Sequence, residues 1–474
     1  MATVEKEQEG YLPRWTLKTE GIIAPDERPP WGQSIFLGLQ HVLAMFGATV
    51  LAPIIMGFDP NTAIFFSGIG TILFFLIVGG RVPSYLGSSF SFIAVVLTAE
   101  GATHNIPAAL GGIITAGVVY AIIGLIVIFA GYKWIEYLMP PAVTGAVVAV
   151  IGLNLAPVAI ADASGGSISN PNGFDIVMAL ITVLAVAAVA VYAPGPLRRL
   201  PILLGGIIGY VIYMIFSNGL GFGVAKVVAK GGNQIDFSRL TDPNTPWIGL
   251  PHFTTPNFTP NAMTLIAPVA IILVAENLGH VKAVGAMTGR NLDKYLGRAF
   301  LGDGLATIVA ASGGGTGVTT YAENIGVMAV TRIYSSLVFI IAAVVAVLLG
   351  FSPKFGALIA TIPPGVLGGL AIVLFGLIAA TGGRIWVQNG VDFSKGRNLI
   401  TAAVALTLGA GNLVINIGNF SLGGIGTATF GAIIIYQLLR EREPQPEEAV
   451  TADSAVGLNP AAETEAGPEA GAGE

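Results

Sequence analysis

Glu323 lies in the stretch TTYAENIGVMAVTR (319–332), and Glu276 and His280 lie in ILVAENLGHVKAVG (272–285), both within otherwise apolar surroundings. Moving an acid into the middle of a membrane helix costs about 2.5–3.5 kcal/mol on insertion scales, so acids kept there are functional candidates. Glu276 and His280 are four apart and share one helix face. His41, in LQHVLAMFGATVLAP (39–53), and Asp303 are further ionisable groups in apolar runs. For His41, His280 and Asp303, a polar clasp between helices is as good a reading as a functional one. Phe90, Tyr321 and Phe375 serve first as packing aromatics and secondly as faces for a ligand. Two carboxylates beside backbone N–H donors and aromatic faces suit a flat, neutral ring carrying both N–H donors and C=O acceptors. A bare cation would want more oxygen ligands. A ligand of fixed negative charge would be repelled by two acids unless they were protonated, and a protonatable acid can also carry a coupled proton.

The elements that position these groups follow from composition. The 474 residues are 54% hydrophobic and 10% charged, with 64 glycines. A soluble domain of this length needs far more surface charge, so the sequence reads as an all-α, polytopic membrane protein. Fourteen apolar segments approach the ~20 residues that span hydrocarbon: 34–56, 61–80, 84–99, 106–130, 138–159, 174–193, 200–218, 262–282, 295–311, 316–331, 333–350, 357–381, 397–414 and 421–439. An even count puts both termini on one side. Eighteen Lys and Arg then fall on the terminus side and four (Lys226, Lys230, Arg239, Lys354) on the other. That asymmetry predicts cytoplasmic termini. The first 32 residues are polar and of mixed charge, unlike a cleavable signal peptide. The absence of cysteine excludes disulfides, thiolate metal sites and Cys nucleophiles. Residues 441–474, with nine acids and one arginine, read as a disordered, solvated tail.

Two halves of the chain echo each other. MPPAVTGAVVAVIGLNLA (139–156) aligns with IPPGVLGGLAIVLFGLIA (362–379), and LLGGIIG (203–209) with SLGGIGT (421–427). This predicts seven spans duplicated, the second set inverted, which is a transporter architecture. Segments three and ten are its irregular pair. SYLGSSFSF (84–92) alternates like a strand before a short helix, and GTGVTTYAENIGVMAV (315–330) places β-branched residues before another. Each would be a strand followed by a half-helix starting mid-membrane, with free N–H groups aimed at a ligand. Glu323 would sit in the first turn of the second half-helix. Backbone of this kind at that depth must be buried in protein or line a cavity.

The run AENIGVMAVTR (322–332) resembles the motif of the nucleobase–ascorbate transporter family, [Q/E]-N-x-G-x-x-x-x-T-[R/K], at Glu323, Asn324, Gly326, Thr331 and Arg332. QHVLAMFGATVLAP, PSYLGSSFSFIA and AENLGH are similar to the bacterial uracil permeases of that family, and the resemblance covers nearly all of residues 30–440. It implies a core domain (34–130 and 262–350) and a gate domain (131–219 and 351–440). These would be joined by an extracytoplasmic loop (220–261) and flanked by cytoplasmic segments (1–33 and 441–474). It also implies proton-coupled uptake of a nucleobase through the bacterial cytoplasmic membrane, no cofactor, and a possible homodimer. By motif, Glu276 and Glu323 would bind ring N–H groups. The backbone N–H groups of Phe90 and Ala322 would meet ring carbonyls, and Ala48 and Tyr321 would border the ring. Glu276, His280 and His41 would form the proton-coupling set. Ala322 stands where these permeases often have Gly, and Phe375 where they have Tyr.

Uracil is favoured over purines because the motif begins with Glu323 rather than Gln: a Glu only accepts, whereas a Gln also donates to purine carbonyls. A xanthine or urate permease of the same family is the alternative, and an anion carrier of the same architecture is a further one, opposed by the two acids. A channel fits a closed carboxylate site less well. An enzyme is not expected: the sequence carries no nucleophile–base pairing and no metal-ligand cluster, and nothing in it points to nucleic acid.

Overall fold

Proline marks where several helices of this chain begin. At the first helical position its missing N–H would have had no partner, and its fixed φ is already helical. The computed structural model describes residues 10–100, 105–222, 235–417 and 420–439. The acidic tail, Lys6, Lys226, Lys230, Arg440 and Arg442 lie outside the described residues. In chain order the main elements are α1 (Trp31–Ile55), α2 (Pro60–Val78), strand β1 (Leu86–Ser88), α3 (Ile93–Glu100), α4 (Ile106–Ala130), α5 (Pro141–Asn154), α6 (Gly173–Tyr192), α7 (Pro201–Met214), α8 (Val269–Thr288), α9 (Leu296–Ser312), strand β2 (Val318–Thr320), α10 (Ala322–Thr331), α11 (Ser336–Gly350), α12 (Pro364–Gln388), α13 (Gly396–Ala410) and α14 (Gly424–Leu438). Among the described residues eight helices are long and apolar enough to cross a membrane, or nine if the bent pair Ser336–Gly350 and Pro353–Ile359 is one span. The chain is a multi-pass membrane protein.

Several boundaries differ from the sequence reading, at prolines or glycines. The fifth segment breaks at Leu155, and a second helix, Ala156–Ala163, carries Pro157 in its first turn. The eighth opens with Pro260–Ile266, breaks before Pro268, and then continues to Thr288. The twelfth opens at Pro364, because Pro353–Ile359 is a separate helix bent 89° from α11. The fourteenth opens at Gly424, because Phe420–Leu422 pairs antiparallel with Ile415–Ile417.

The helices pack in two groups. In one, α2 packs on α11, α9 on α4 and on α2, and α1 on α11. In the other, α12 packs on α5 and α6, α13 on α5, α6 on α7, and α13 on α14. Glycine sets the close crossing of α5 and α12 in the second group: a Cβ at Gly382 would lie 2.4 Å from the Gly145 carbonyl oxygen. Small residues let helix backbones approach and exchange dispersion contacts where lipid supplies no hydrophobic drive.

The described N-terminal residues lie along one end of the first group. Thr16–Leu17 pairs with Glu27–Arg28, and Ile23 bridges to Ile333 just beyond α10. Asp26 holds Arg290 at 2.7 Å, and the Trp15 indole donates to Ser336 Oγ at 2.9 Å.

Candidate functional site

Strands β1 and β2 pair antiparallel, Leu86 opposite Thr320 and Ser88 opposite Val318. The ladder extends at both ends: Ser89 N–H donates to Gly317 O at 2.9 Å and Tyr321 N–H to Tyr85 O at 3.0 Å. Helical structure follows each strand within two residues, a tight turn at Phe90–Phe92 leading into α3, and α10 starting at Ala322. Three-residue strands form here because small side chains allow the inner faces to meet. A Cβ at Gly317 would lie 2.2 Å from the Phe92 ring, and one at Gly87 2.4 Å from the Tyr321 ring.

Tyr321 is the residue that caps α10 from an extended backbone, φ −104° and ψ 125°. Its ring is 3% exposed, and its hydroxyl donates to Ser88 O at 2.9 Å and accepts from Thr49 Oγ1 at 3.2 Å. Its polar atom is therefore engaged inside the strand pair. Ala322, one residue on, is exposed, and its N–H donates to no group among the described residues. Glu323 stands in the first turn of α10.

Helix α8 packs against both irregular segments, the Phe90–Phe92 turn on one side and β2 and α10 on the other. It carries Glu276, whose Oε2 lies 3.5 Å from Ser91 Oγ. The Phe90 ring meets Phe375 of α12 edge to face at 5.8 Å, so the turn also touches the second helix group. Ala48 is 2% exposed on α1, which packs against β1 and α10. His41 is 1% exposed, and Asn324 Nδ2 lies 3.0 Å from both its Nδ1 and its carbonyl oxygen, so it abuts α10 through the neighbour of Glu323.

His280 belongs to a different chain of contacts. Its Nδ1 is 2.8 Å from Thr320 Oγ1, which lies 3.5 Å from Asn277 Oδ1. Asn277 Nδ2 donates to Asp303 Oδ2 at 2.7 Å and to the Tyr120 hydroxyl at 3.0 Å. Sequence reasoning missed Asn277, Thr320 and Tyr120. Asn277 had a signal, standing between Glu276 and His280 in the same run; Tyr120 had none, since a tyrosine in a long apolar helix reads as packing.

One side of this assembly is open. Gly279, Ala322 and Gly326 are exposed, and Glu276, His280 and Glu323 are half-buried, while residues 316–321 on the strand side are buried. A Cβ at Gly279 or Gly326 would meet nothing within 4 Å. The assembly thus offers two carboxylates, a free backbone N–H at a helix start and an aromatic wall. Among the described residues no group of three or more His, Cys, Asp or Glu side chains could hold a metal ion.

Residues 32–418 match the sequence profile of the Permease family. The chain is 57% identical over 448 residues to the putative pyrimidine permease RutG of Escherichia coli (strain K12), covering 92% of this chain and 98% of that one. It is 39% identical over 436 residues to the uracil permease of Bacillus caldolyticus (90% and 96% covered). It is 38% identical over 434 residues to the uracil permease of E. coli K12 (90% and 96%). Among solved structures it is similar in fold to the transmembrane domain of a cyanobacterium bicarbonate transporter, BicA, with a TM-score of 0.57 at 18% identity, over 85% of this chain and 96% of that chain. It is also similar to SLC26A9, with a TM-score of 0.60 at 13% identity, over 85% of this chain and 64% of that one.

Proposed function

The chain belongs to the Permease family, and on that premise we propose that it takes up a nucleobase, uracil or a close pyrimidine, coupled to protons by alternating access. The observation that carries this reading is the meeting of Glu276 with the Phe90–Phe92 turn, on a helix that also packs against α10, where Glu323 and the free Ala322 N–H stand. Uracil presents two ring N–H donors and two carbonyl acceptors. In the proposed pose the carboxylates of Glu276 and Glu323 accept from the ring N–H groups. The N–H groups of Ala322 and Phe90 donate to the carbonyls, Ala48 and Tyr321 back the ring, and the Phe90 ring supplies a face. The names of the relatives support the pyrimidine class. The two carboxylates speak against an anion as cargo, although one solved structure similar in fold is that of a bicarbonate transporter.

Proton coupling is assigned to Glu276, His280 and His41 together; His280 bonds Thr320 and His41 bonds Asn324, so each would act on the site through its own neighbour. No resident cofactor is required. The architecture proposed is fourteen spans as an inverted seven-plus-seven repeat, with α3 and α10 as half-helices and both termini in the cytoplasm of a bacterial cell. Packing supports it: the contact of α2 with α11 becomes that of α9 with α4 when each helix is exchanged for its counterpart seven positions away. The contact of α6 with α7 becomes that of α13 with α14 in the same way. The two helix groups correspond to a core that carries the site and a gate it moves against. Two copies would associate as a homodimer.

The test is uptake of radiolabelled uracil, thymine, xanthine and urate by cells lacking their own permeases and expressing this chain. Uracil accumulation that a proton ionophore abolishes is expected. Accumulation of xanthine or urate with no uracil uptake would replace the pyrimidine reading by the purine one.

A further inference from the structure

An apolar crevice of about 470 Å³ separates the two helix groups away from the polar site. Its walls come from α1 (Phe46, Val50), α7 (Ile202, Gly206) and α12 (Val366, Leu370). Its one polar side-chain group, the Tyr210 hydroxyl, is already engaged with Thr361 Oγ1 at 2.7 Å. At Leu349, Phe355 and Leu358 the crevice runs into a second groove of about 590 Å³. That groove lies against the outward face of α11, where Leu348 is 64% exposed, and ends at Trp247 and Lys354.

Three features define what fits. The rim residues Leu43, Ile207 and Leu358 are 44%, 51% and 43% exposed, so the crevice opens onto the apolar surface that faces lipid. Gly249 N–H donates to Phe351 O at 2.8 Å, which ties the 247–250 turn to the end of α11. Trp247, Ile248 and Leu250 there are 75%, 84% and 75% exposed, as expected of residues at a membrane interface. Lys354 Nζ donates to Leu240 O and Asp242 O at 2.7 and 3.1 Å and lies 5.9 Å from the Trp247 ring centre. It forms no ion pair among the described residues, so its charge is available at the mouth of an apolar slot. A lysine at the interface end of an apolar groove can hold a phosphate as a point charge while an acyl chain lies along the groove.

We propose that the groove is a phospholipid site, with the phosphate against Lys354 and one acyl chain lying in the crevice between α1, α7 and α12. A chain seated there touches both helix groups, so the lipid bears on their relative motion. The binding claim is independent of the transported substrate.

The experiment uses full-length protein purified in mild detergent, incubated with a photoreactive phosphatidylglycerol, and read by native mass spectrometry and mapping of the cross-linked peptides. One retained lipid per chain is expected, cross-linked to Phe355, Leu358 or Ile202. Lys354→Ala should lower retention at least fivefold and Lys354→Arg should preserve it. Because Lys354→Ala also loses the loop contacts, Gly206→Leu serves as a second variant. A Cβ at Gly206 would lie 3.1 Å from Leu370 Cδ1, so a leucine there fills the crevice without touching the loop. Its retention should fall as well. Wild-type retention by Gly206→Leu overturns the proposal whatever Lys354→Ala does, as do cross-links confined to outward residues such as Phe129 and Leu184.

Discussion

Glu276 and Glu323 divide the work of the proposed site between them, and substitutions should separate the two roles. Glu276→Gln keeps a hydrogen-bonding side chain but cannot exchange a proton. It is expected to bind uracil within about tenfold of wild type while losing accumulation against a gradient, measured in parallel by calorimetry and by uptake. Ionophore-sensitive accumulation by this variant would remove Glu276 from the coupling path. Glu323→Ala removes an acceptor and leaves a ring donor unpaired, a loss of about 1–3 kcal/mol. Binding by the purified variant should weaken roughly 5- to 150-fold. The acids and His280 were legible because ionisable groups are rare in this sequence. The surroundings of His280 were not. Its partner Thr320 lies on a strand 40 positions away, and Asn277 turns from Glu276 toward Asp303 and Tyr120. Side-chain direction on a helix depends on its neighbours, which no local pattern records.

At the scale of elements, the strand pair and the half-helix α10 hold the site in register. Ala322 is the first residue of α10, and the residue before it has extended backbone, the conformation that precedes proline. Ala322→Pro is therefore compatible with the helix start yet deletes the N–H assigned to a substrate carbonyl. It should fold with near-normal thermal stability and fail to bind uracil, whereas Ala322→Gly should bind much as wild type does. Wild-type binding by the proline variant would show that this N–H does not contact the ligand. Gly317→Ala tests the ladder instead: its Cβ would meet the Phe92 ring at 2.2 Å. Overpacking of this kind costs about 1–3 kcal/mol and should lower the melting temperature measurably. The strand-then-helix pattern of both segments was legible because β-branched and small residues precede short apolar runs. The pairing of Ile415–Ile417 with Phe420–Leu422, the bend after α11 and the N-terminal contacts were not. Those depend on surfaces supplied by distant elements, such as Ile333 for Ile23.

For the whole molecule the claim is relative movement of two helix groups around a fixed site. The sequence showed two Pro-Pro segments that echo each other, but not which helices touch. The two helices in fact pack on each other, crossing at Gly145 and Gly382. The interface between groups offers a direct lock. A Cβ built at Gly47 on α1 lies 3.3 Å from Ile202 Cβ on α7, close to the ~3.5–4.5 Å of a disulfide. The chain has no cysteine of its own, so a Gly47→Cys, Ile202→Cys pair can be oxidised without background. Oxidation should stop transport and reductant should restore it, with uracil binding retained throughout. Full transport by the oxidised pair would mean that α1 and α7 need not move apart.

Proton-driven carriage of uracil can be measured in proteoliposomes that contain only this purified chain. With the outside made acidic and radiolabelled uracil added, accumulation above the external concentration is expected. That accumulation should collapse on adding a proton ionophore and be diluted by excess unlabelled uracil but not by urate. Uracil that merely equilibrates at the same rate with and without the pH gradient, or fails to enter while urate does, would contradict it.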